Sequence, residues 1–407
     1  MPPEPDLGLR ASPEEVGLSA PRLARIGRLL QSHVDSGSIP GALALVHRRG
    51  RTAYVAQVGA MSRTDTAPIR LDALFRVYSM TKLVTTAAAL SLVEEGLLDL
   101  ADPVGRYLPE LADRPVGEST PGGSFRLVDA RREMTVLDLL RHTSGIVGGY
   151  RGSPWMLKLY EEAGVRDFDH TDAAYAQSVE DFTASIAKLP LAMQPGSHWE
   201  YGRSADVVGH LLQVVSGRPL DELVADRVLD PLGMADTGFF VPPERAHLIV
   251  QPPEPFTAGS PMRDLTSRPA FLSGGSGAFS SLGDYLRLAR MLLGGGEVDG
   301  QRVLGRKSVE LLTADQLGPL RGTGPDFIPG EGHSFGLGVA VRRHAGPAAV
   351  LGTVGDYWWF GRGSTSFVVD PAEDLVALLM TQKYWRARYY QRVFKNLVYQ
   401  SLVDRPV

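Results

Sequence analysis

The 407-residue chain contains no cysteine. This excludes thiolate nucleophiles, disulfides, iron–sulfur clusters and cysteine zinc sites. Covalent catalysis is left to Ser, Thr, Lys, Tyr, His or a carboxylate. Lysine is also scarce: of 42 basic residues six are Lys (Lys82, Lys158, Lys188, Lys307, Lys383, Lys395), leaving 42 − 6 = 36 Arg. Arg stays charged at any working pH, whereas a buried Lys can lose its proton and serve as a base, so the setting of each lysine is informative. No apolar run reaches the roughly 18 residues of a membrane helix. The N-terminal MPPEPDLGLRASPEEVGLS has no basic segment followed by an apolar one, so no secretory leader is expected and the default location is the cytoplasm. With 42 basic against 46 acidic side chains (42 − 46 = −4) there is no broad basic footprint for nucleic acid.

What is present fits an ordinary globular protein, 43% apolar and 22% charged. A chain of this length buries roughly three quarters of its unfolded surface and needs no covalent or metal staple. Internal repeats of solenoid length are absent, and the Pro/Gly-rich pieces 115–124, 251–262 and 318–332 read as loops. Residues 21–36 place Leu23, Ile26, Leu29, Leu30 and Val34 at helical spacing, followed by two strand-like runs, ALALVHR and TAYVAQVG. A helix-rich middle follows (80–96, 135–141, 204–216, 220–228, 284–293). From about 335 strand-like runs return, FGLGVAVRR, AAVLGTV, STSFVVD and DLVALLM, before a closing helix over 386–402. A sheet built from both ends of the chain with a helical region inserted accounts for this order. It divides the chain into a discontinuous α/β domain, 1–70 with 300–407, and a mostly helical domain, 71–299, with the site in the groove between them.

The strongest chemical signal is Ser79-Met80-Thr81-Lys82, opening the Ala- and Leu-rich helix LVTTAAALSLVEEG. Residues three apart on a helix share a face, so the Ser79 hydroxyl and the Lys82 amine can meet. The helix N-terminus favours a developing oxyanion. A second copy, Ser185-Ile186-Ala187-Lys188, runs into Leu189-Pro190 and reads as a helix end. Further on, Tyr201 lies in PGSHWEYGR before an amphipathic helix, where its phenol can either face a cleft or pack at a loop. The run Tyr357-Trp358-Trp359-Phe360-Gly361-Arg362-Gly363 is a Gly-flanked strand, read either as a source of oxyanion N–H groups or as an aromatic edge strand. There is no Gly-x-Ser-x-Gly elbow and no HExxH histidine pair, and no metal or cofactor is expected. His142, in LLRHTSGI, and His198 are read as structural and loop histidines.

In joint order and spacing the chain resembles the serine β-lactamase/penicillin-binding-protein superfamily, and within it the class C-like family VIII carboxylesterases. The resemblance rests on ALFRVYSMTKLVTTAAALSLVEEGLLDLADPVGRYLPEL, MTVLDLLRHTSGI, PGSHWEYG, VLDPLGMADTGFF, GGSGAFSSLGDYLRLARMLLGGGEVDGQRVL and TSFVVDP. It implies an α+β fold, an antiparallel sheet flanked by helices with an inserted helical region. It also implies Ser79 as the acylated nucleophile, Lys82 as its proton partner and Tyr201 as the tyrosine acting with Lys82 as general base. Trp359 and Gly361 align with a Trp-Gly-Gly box that replaces the Lys-Thr-Gly of β-lactamases, and the backbone N–H groups of Ser79 and Arg362 would form the oxyanion hole. Substrate contacts are expected from Trp359, Gly361, Arg203 and Tyr357. Arg203 stands where β-lactamases carry Asn and Trp359 where they carry Lys, changes that favour neutral esters over penicillins. The implied activity is hydrolysis of small-molecule carboxylic esters of short to medium acyl chain. A β-lactamase or D-Ala-type peptidase, an acyltransferase, and a non-catalytic binding protein remain as alternatives. The natural ester and the oligomeric state are not specified by the sequence.

Overall fold

The computed structural model describes residues 6–148, 152–165, 171, 173–255, 262–320 and 327–404. Parts of the loops 147–180, 251–262 and 318–332 lie outside these residues. Seven strands form one sheet: Gly41–Arg48 (β1), Arg51–Gly59 (β2), His333–Phe335 (β3), Ala340–Arg342 (β4), Tyr357–Phe360 (β5), Ser366–Asp370 (β6) and Leu375–Thr381 (β7). Every pairing is antiparallel, in the spatial order β2-β1-β7-β6-β5-β4-β3. The sheet therefore draws its strands from both ends of the chain, joined where Val46 faces Ala377 and Leu43 faces Met380. β1 and β7 are buried along their whole length, as central strands covered on both faces must be, whereas the edge strand β2 mixes buried and exposed positions.

Five helices matter for the site: Ala20–Asp35 (α1), Thr81–Glu94 (α2), Ser204–Ser216 (α3), Leu282–Leu293 (α4) and Ala387–Tyr399 (α5). Side chains alternate between faces along a strand, and the register pairs Trp359 with Phe367 and Trp358 with Val368. Phe367 meets Tyr285 of α4, while Trp358 lies below Lys395 of α5, so these helices cover opposite faces. α1 lies beside α5 and buries Leu23, Ile26 and Leu30. α4, which the sequence division assigns to the inserted region, packs on β6 and β7. α2 is buried along nearly its whole length against α3, which suits its Ala/Leu-rich, almost charge-free sequence.

Four sequence expectations need correction. AAVLGTV (348–354) forms no strand; Leu351 N–H bonds the Asn396 side chain at 2.8 Å and the Val350 carbonyl accepts from Arg342, so its backbone is satisfied by side chains instead of a ladder. FGLGVAVRR is split into β3 and β4 by a turn in which Gly336 N–H bonds Val339 O. The 115–124 loop contains Val116–Ser119, which pairs as a hairpin with Phe125–Val128. The aromatic strand β5 is interior, flanked by β4 and β6, so the edge-strand reading does not hold.

On the α5 side of the sheet, Lys395 pairs with Asp356 at 2.6 Å, both side chains being essentially inaccessible (1% and 0%). Tyr399 donates to Asp370 at 2.7 Å and to Asp356 at 3.3 Å. Removing one member of a buried pair leaves the other charge uncompensated. Lys395→Met is accordingly expected to lower stability by about 3–5 kcal/mol, read from the urea midpoint at unchanged slope. A variant within 1 kcal/mol of wild type would show that this pair contributes little.

Candidate active site

The segment entering α2 is held from both sides. Phe75 and Arg76 pair with Ser280 and Phe279, Val77 N–H bonds Ala278 O, and Ala278 N–H bonds Thr81 Oγ1. Tyr78 is driven to φ 46°, a left-handed conformation costly for a bulky residue, and its buried hydroxyl bonds that of Tyr384. Ser79 follows on a single 3-10 turn (Tyr78–Met80) before α2 and is half-buried, so the strained turn presents it to the cleft. Its backbone N–H makes no hydrogen bond to another element among the described residues.

Lys82, one turn on and 4% exposed, donates to Ser79 Oγ at 3.3 Å and to Gly275 O at 2.8 Å. Burial drives its pKa down; Asp206 opposes the fall, Arg203 and Arg362 add to it, and the value settles at about 7. A large fraction of Lys82 is thus neutral at physiological pH, as a base requires. The SGGSG run at 273–277 is folded against this end of the helix. Asp206 of α3 accepts from Gly275 N–H at 3.1 Å and from Ser273, while Thr85 donates to Gly274 O at 2.8 Å.

Tyr201, 6% exposed, brings its hydroxyl to Ser79 and to the Trp359 indole N–H, which donates at 3.4 Å. Burial pushes its pKa up to about 12 against these hydrogen bonds, so the phenol keeps its proton and Lys82 is the better base. The lysine amine sits 4.7 Å above the Tyr201 ring. His142 packs against the same ring at 4.7 Å with its backbone at φ 59°. Burial, then the charge of Lys82, holds its pKa well below the usual value, leaving a neutral imidazole. Gly202, which follows Tyr201, presses on the Val147–Gly148 backbone, where a Cβ would lie 2.3 Å from Val147 C.

A cavity of about 390 Å³ opens over Ser79. Tyr201, Trp359, Phe360, Arg362 and the first turn of α5 line it. The β5–β6 ladder ends at Phe360 and Ser366, and the chain turns away at Gly361, whose N–H bonds Thr365 O. A Cβ on Gly361 would lie 2.3 Å from Val77 O, so only glycine lets the strand end lie against the turn that carries Ser79. Gly361 sets that approach without itself lining the cavity.

Two expected substrate contacts lie elsewhere. Arg203 is buried with Nε 3.1 Å from Asp206 and its guanidinium 4.5 Å from the Phe182 ring centre, a support for Asp206 and not a wall of the cavity. Tyr357 is 1% exposed, outside the cavity lining, and its hydroxyl has no hydrogen-bond partner among the described residues. The second Ser-x-x-Lys copy ends the helix Val179–Ala187, with Lys188 exposed. His198 is exposed and bonds Ser197, lining a separate cavity of about 620 Å³. Sequence reading missed Asp206, the Gly275 carbonyl, Tyr384 and the α5 turn Arg386–Tyr389. An acid three residues after Arg203 at a helix start was the available signal for Asp206.

A serine hydroxyl met at 3.3 Å by the amine of a lysine three residues on is the arrangement of the Ser-x-x-Lys serine hydrolases. The chain belongs to the β-lactamase family: the family model described as Beta-lactamase matches residues 26–396. Protein Rv1367c of Mycobacterium tuberculosis is 35% identical over 86% of this chain and 87% of its own length. Esterase EstB of Burkholderia gladioli is 31% identical over 91% and 93%. Among solved structures, simvastatin synthase LovD of Aspergillus terreus superposes with a TM-score of 0.73 at 26% identity, covering 94% of this chain and 98% of that one. The fold is that of the β-lactamases and penicillin-binding proteins, in the group that includes the family VIII esterases, and the chain is a serine ester hydrolase or acyltransferase. Among the described residues no helix is long and apolar enough to cross a membrane, and no His/Asp/Glu group could hold a metal ion.

Proposed function

We propose that the protein hydrolyses carboxylic esters of short to medium acyl chain through an acyl-Ser79 intermediate. Neutral Lys82 takes the Ser79 proton as Oγ attacks the ester carbonyl. The carbonyl oxygen becomes an oxyanion held by the N–H groups of Ser79 and Arg362. The proton then passes from Lys82 through the Tyr201 hydroxyl to the departing alkoxide, leaving acyl-Ser79. Water, deprotonated by the same pair, releases the acid. The division into 1–70 with 300–407 and 71–299 belongs to the same proposal, with Ser79 and Tyr201 contributed by one part and Trp359 and Arg362 by the other.

The observation that carries this reading is the meeting of Ser79, Tyr201 and a lysine whose pKa has fallen to about 7. Arg203 is turned into the α3 start, so among the described residues no amide side chain faces the cavity where a lactam's acylamino group would need one. The test is a p-nitrophenyl ester series of rising chain length beside a chromogenic cephalosporin. Esters are expected to exceed the cephalosporin by ~10²-fold or more in kcat/KM. Comparable lactam turnover would favour the β-lactamase or peptidase alternative. An acyl-transferring mode is supported by the likeness to LovD and by the aromatic contacts of Tyr201, Trp359 and Phe360 beside Ser79, an apolar wall of the kind that shields an acyl-enzyme. Adding an alcohol to the same assay and measuring new ester against free acid separates transfer from hydrolysis.

A further inference from the structure

Beside the cavity over Ser79 lies a smaller chamber of about 180 Å³, in the groove between β5 and α5. Ile328, Phe360 and Arg388 line both. On the strand, Phe360 and Trp358 are two residues apart and share a face, with their rings stacked 6.3 Å apart. On the helix, Gln391 follows Arg388 by three residues and so lies on the same side. The chamber thus continues the cavity by one strand repeat and one helical turn, a step of roughly 5–7 Å.

Three buried polar side chains of its lining lack a hydrogen-bond partner among the described residues. Trp358 is 4% exposed and its indole N–H is unpaired. His333, 7% exposed, stands edge-on to that indole with the ring centres 5.5 Å apart. Burial, then the charge of Lys395, lowers its pKa to about 4, so the ring is neutral. Its Nδ1 lies 3.1 Å from the Glu331 carbonyl, which can only accept, so Nδ1 carries the proton. Nε2 is therefore an acceptor, and it has no donor. The amide of Gln391, also 4% exposed, makes no hydrogen bond either. Buried polar groups of this kind cost stability unless something pairs them.

We propose that the chamber is a subsite for the remote end of the ester substrate, taking a neutral group that both accepts and donates hydrogen bonds, a primary carboxamide or a hydroxyl. Its oxygen accepts from the Trp358 N–H, its own proton goes to His333 Nε2, and Gln391 pairs with what remains. The inference rests on the esterase reading above and adds where the far end of the substrate is held. At about 30 Å³ for each water-sized group there is room for such an end and the last carbons of its chain. A carboxylate has no proton to offer Nε2; Glu331 stands in the same lining, and Arg392 is turned to the Ala349 carbonyl. A methyl end would leave all three polar groups unpaired.

The test compares two series of rising chain length, p-nitrophenyl acyl esters and alkyl acetates, each ended by a carboxamide, hydroxyl, carboxylate or methyl group. Release of p-nitrophenol or acetate is followed. In one series, at a particular length, a carboxamide or hydroxyl end is expected to exceed the methyl end by about 10-fold in kcat/KM, the worth of two ordinary hydrogen bonds. In Trp358→Phe and His333→Phe this ratio is expected to fall towards one. Because both esters are measured on the same variant, a general loss of activity cancels. Where either variant does not fold, Gln391→Leu gives the same comparison. Absence of any polar preference overturns this inference and leaves the esterase reading standing. A preference that survives these substitutions, or a carboxylate end favoured over the carboxamide, does the same. If no ester is turned over and none adds an acyl mass to the protein, the esterase reading falls as well.

Discussion

Ser79→Ala is expected to lower kcat for an activated ester by ~10⁵–10⁶-fold, the loss seen when a nucleophile that acts as a unit with its base is removed. Intact-mass measurement should then show no acyl adduct. Lys82 and Tyr201 remain in place in this variant, but their proton traffic has no alkoxide to generate. What survives is the electrostatic help of the cavity's N–H groups and guanidiniums. The replaced side chain is small, half-buried and outside the apolar core, so the melting temperature should stay close to wild type. An acyl adduct on the alanine variant would remove Ser79 from the mechanism.

Lys82→Met keeps the length of the side chain and removes the base. A general base contributes up to ~10⁴-fold, and a loss of about that size in kcat/KM is expected. The pH profile gives a sharper reading. Acylation needs the neutral amine, so wild-type kcat/KM should rise with pH and level off above the Lys82 pKa of about 7. The variant should lose this rising limb. A wild-type profile flat across neutrality contradicts the assignment. Stability should follow pH in the same sense, while the substitution itself should move stability and activity in opposite directions. An unfolded lysine titrates near 10.4 and the folded one at about 7, so between these values the unfolded chain binds more protons and stability rises with pH. At neutral pH the wild type still bears part of that burial penalty and Lys82→Met bears none. The inactive variant is therefore expected to melt higher than the active enzyme.

Legibility in the sequence followed the range of the interactions. Ser79 and Lys82 are three residues apart, and helix periodicity alone puts them together. Tyr201 could be singled out from its setting before an amphipathic helix, but the sequence leaves open whether its phenol faces a cleft. That depends on Trp359 and Ser79 reaching it from distant segments. The helices at Ala20–Asp35, Thr81–Glu94 and Ser204–Ser216 were placed to within a residue or two by apolar spacing and turn residues. AAVLGTV has the composition of a strand, yet its partners are the side chains of Asn396 and Arg342, which periodicity does not encode. Tyr357 shares a strand with Trp359 but lies beyond the cavity, because an aromatic run does not show how far along a strand the cleft extends. The start of α5 went unnoticed for a different reason. Arg386 and Arg388 read as ordinary surface residues until α5 docks and its first turn is found over Ser79.

The pairing of β1 with β7 also bears on how the chain is made. Synthesis delivers β1, the turn carrying Ser79 and Tyr201 long before Leu375–Thr381 leaves the ribosome. During that interval β1 has β2 on one edge and nothing native on the other, although all its residues are apolar or buried in the finished sheet. Such an edge invites pairing with another nascent chain, and a ladder joining His47 to Val376 is intrinsically slow to close. The same delay has a protective side. Arg362 and the α5 turn arrive with the last part of the chain, so an incomplete polypeptide carries the serine, lysine and tyrosine without the N–H proposed as the second oxyanion donor or the wall that α5 gives the cavity. A truncated product is thus an aggregation hazard but not a stray acylating agent, and hydrolytic competence becomes a signal that translation ran to the end of the sheet.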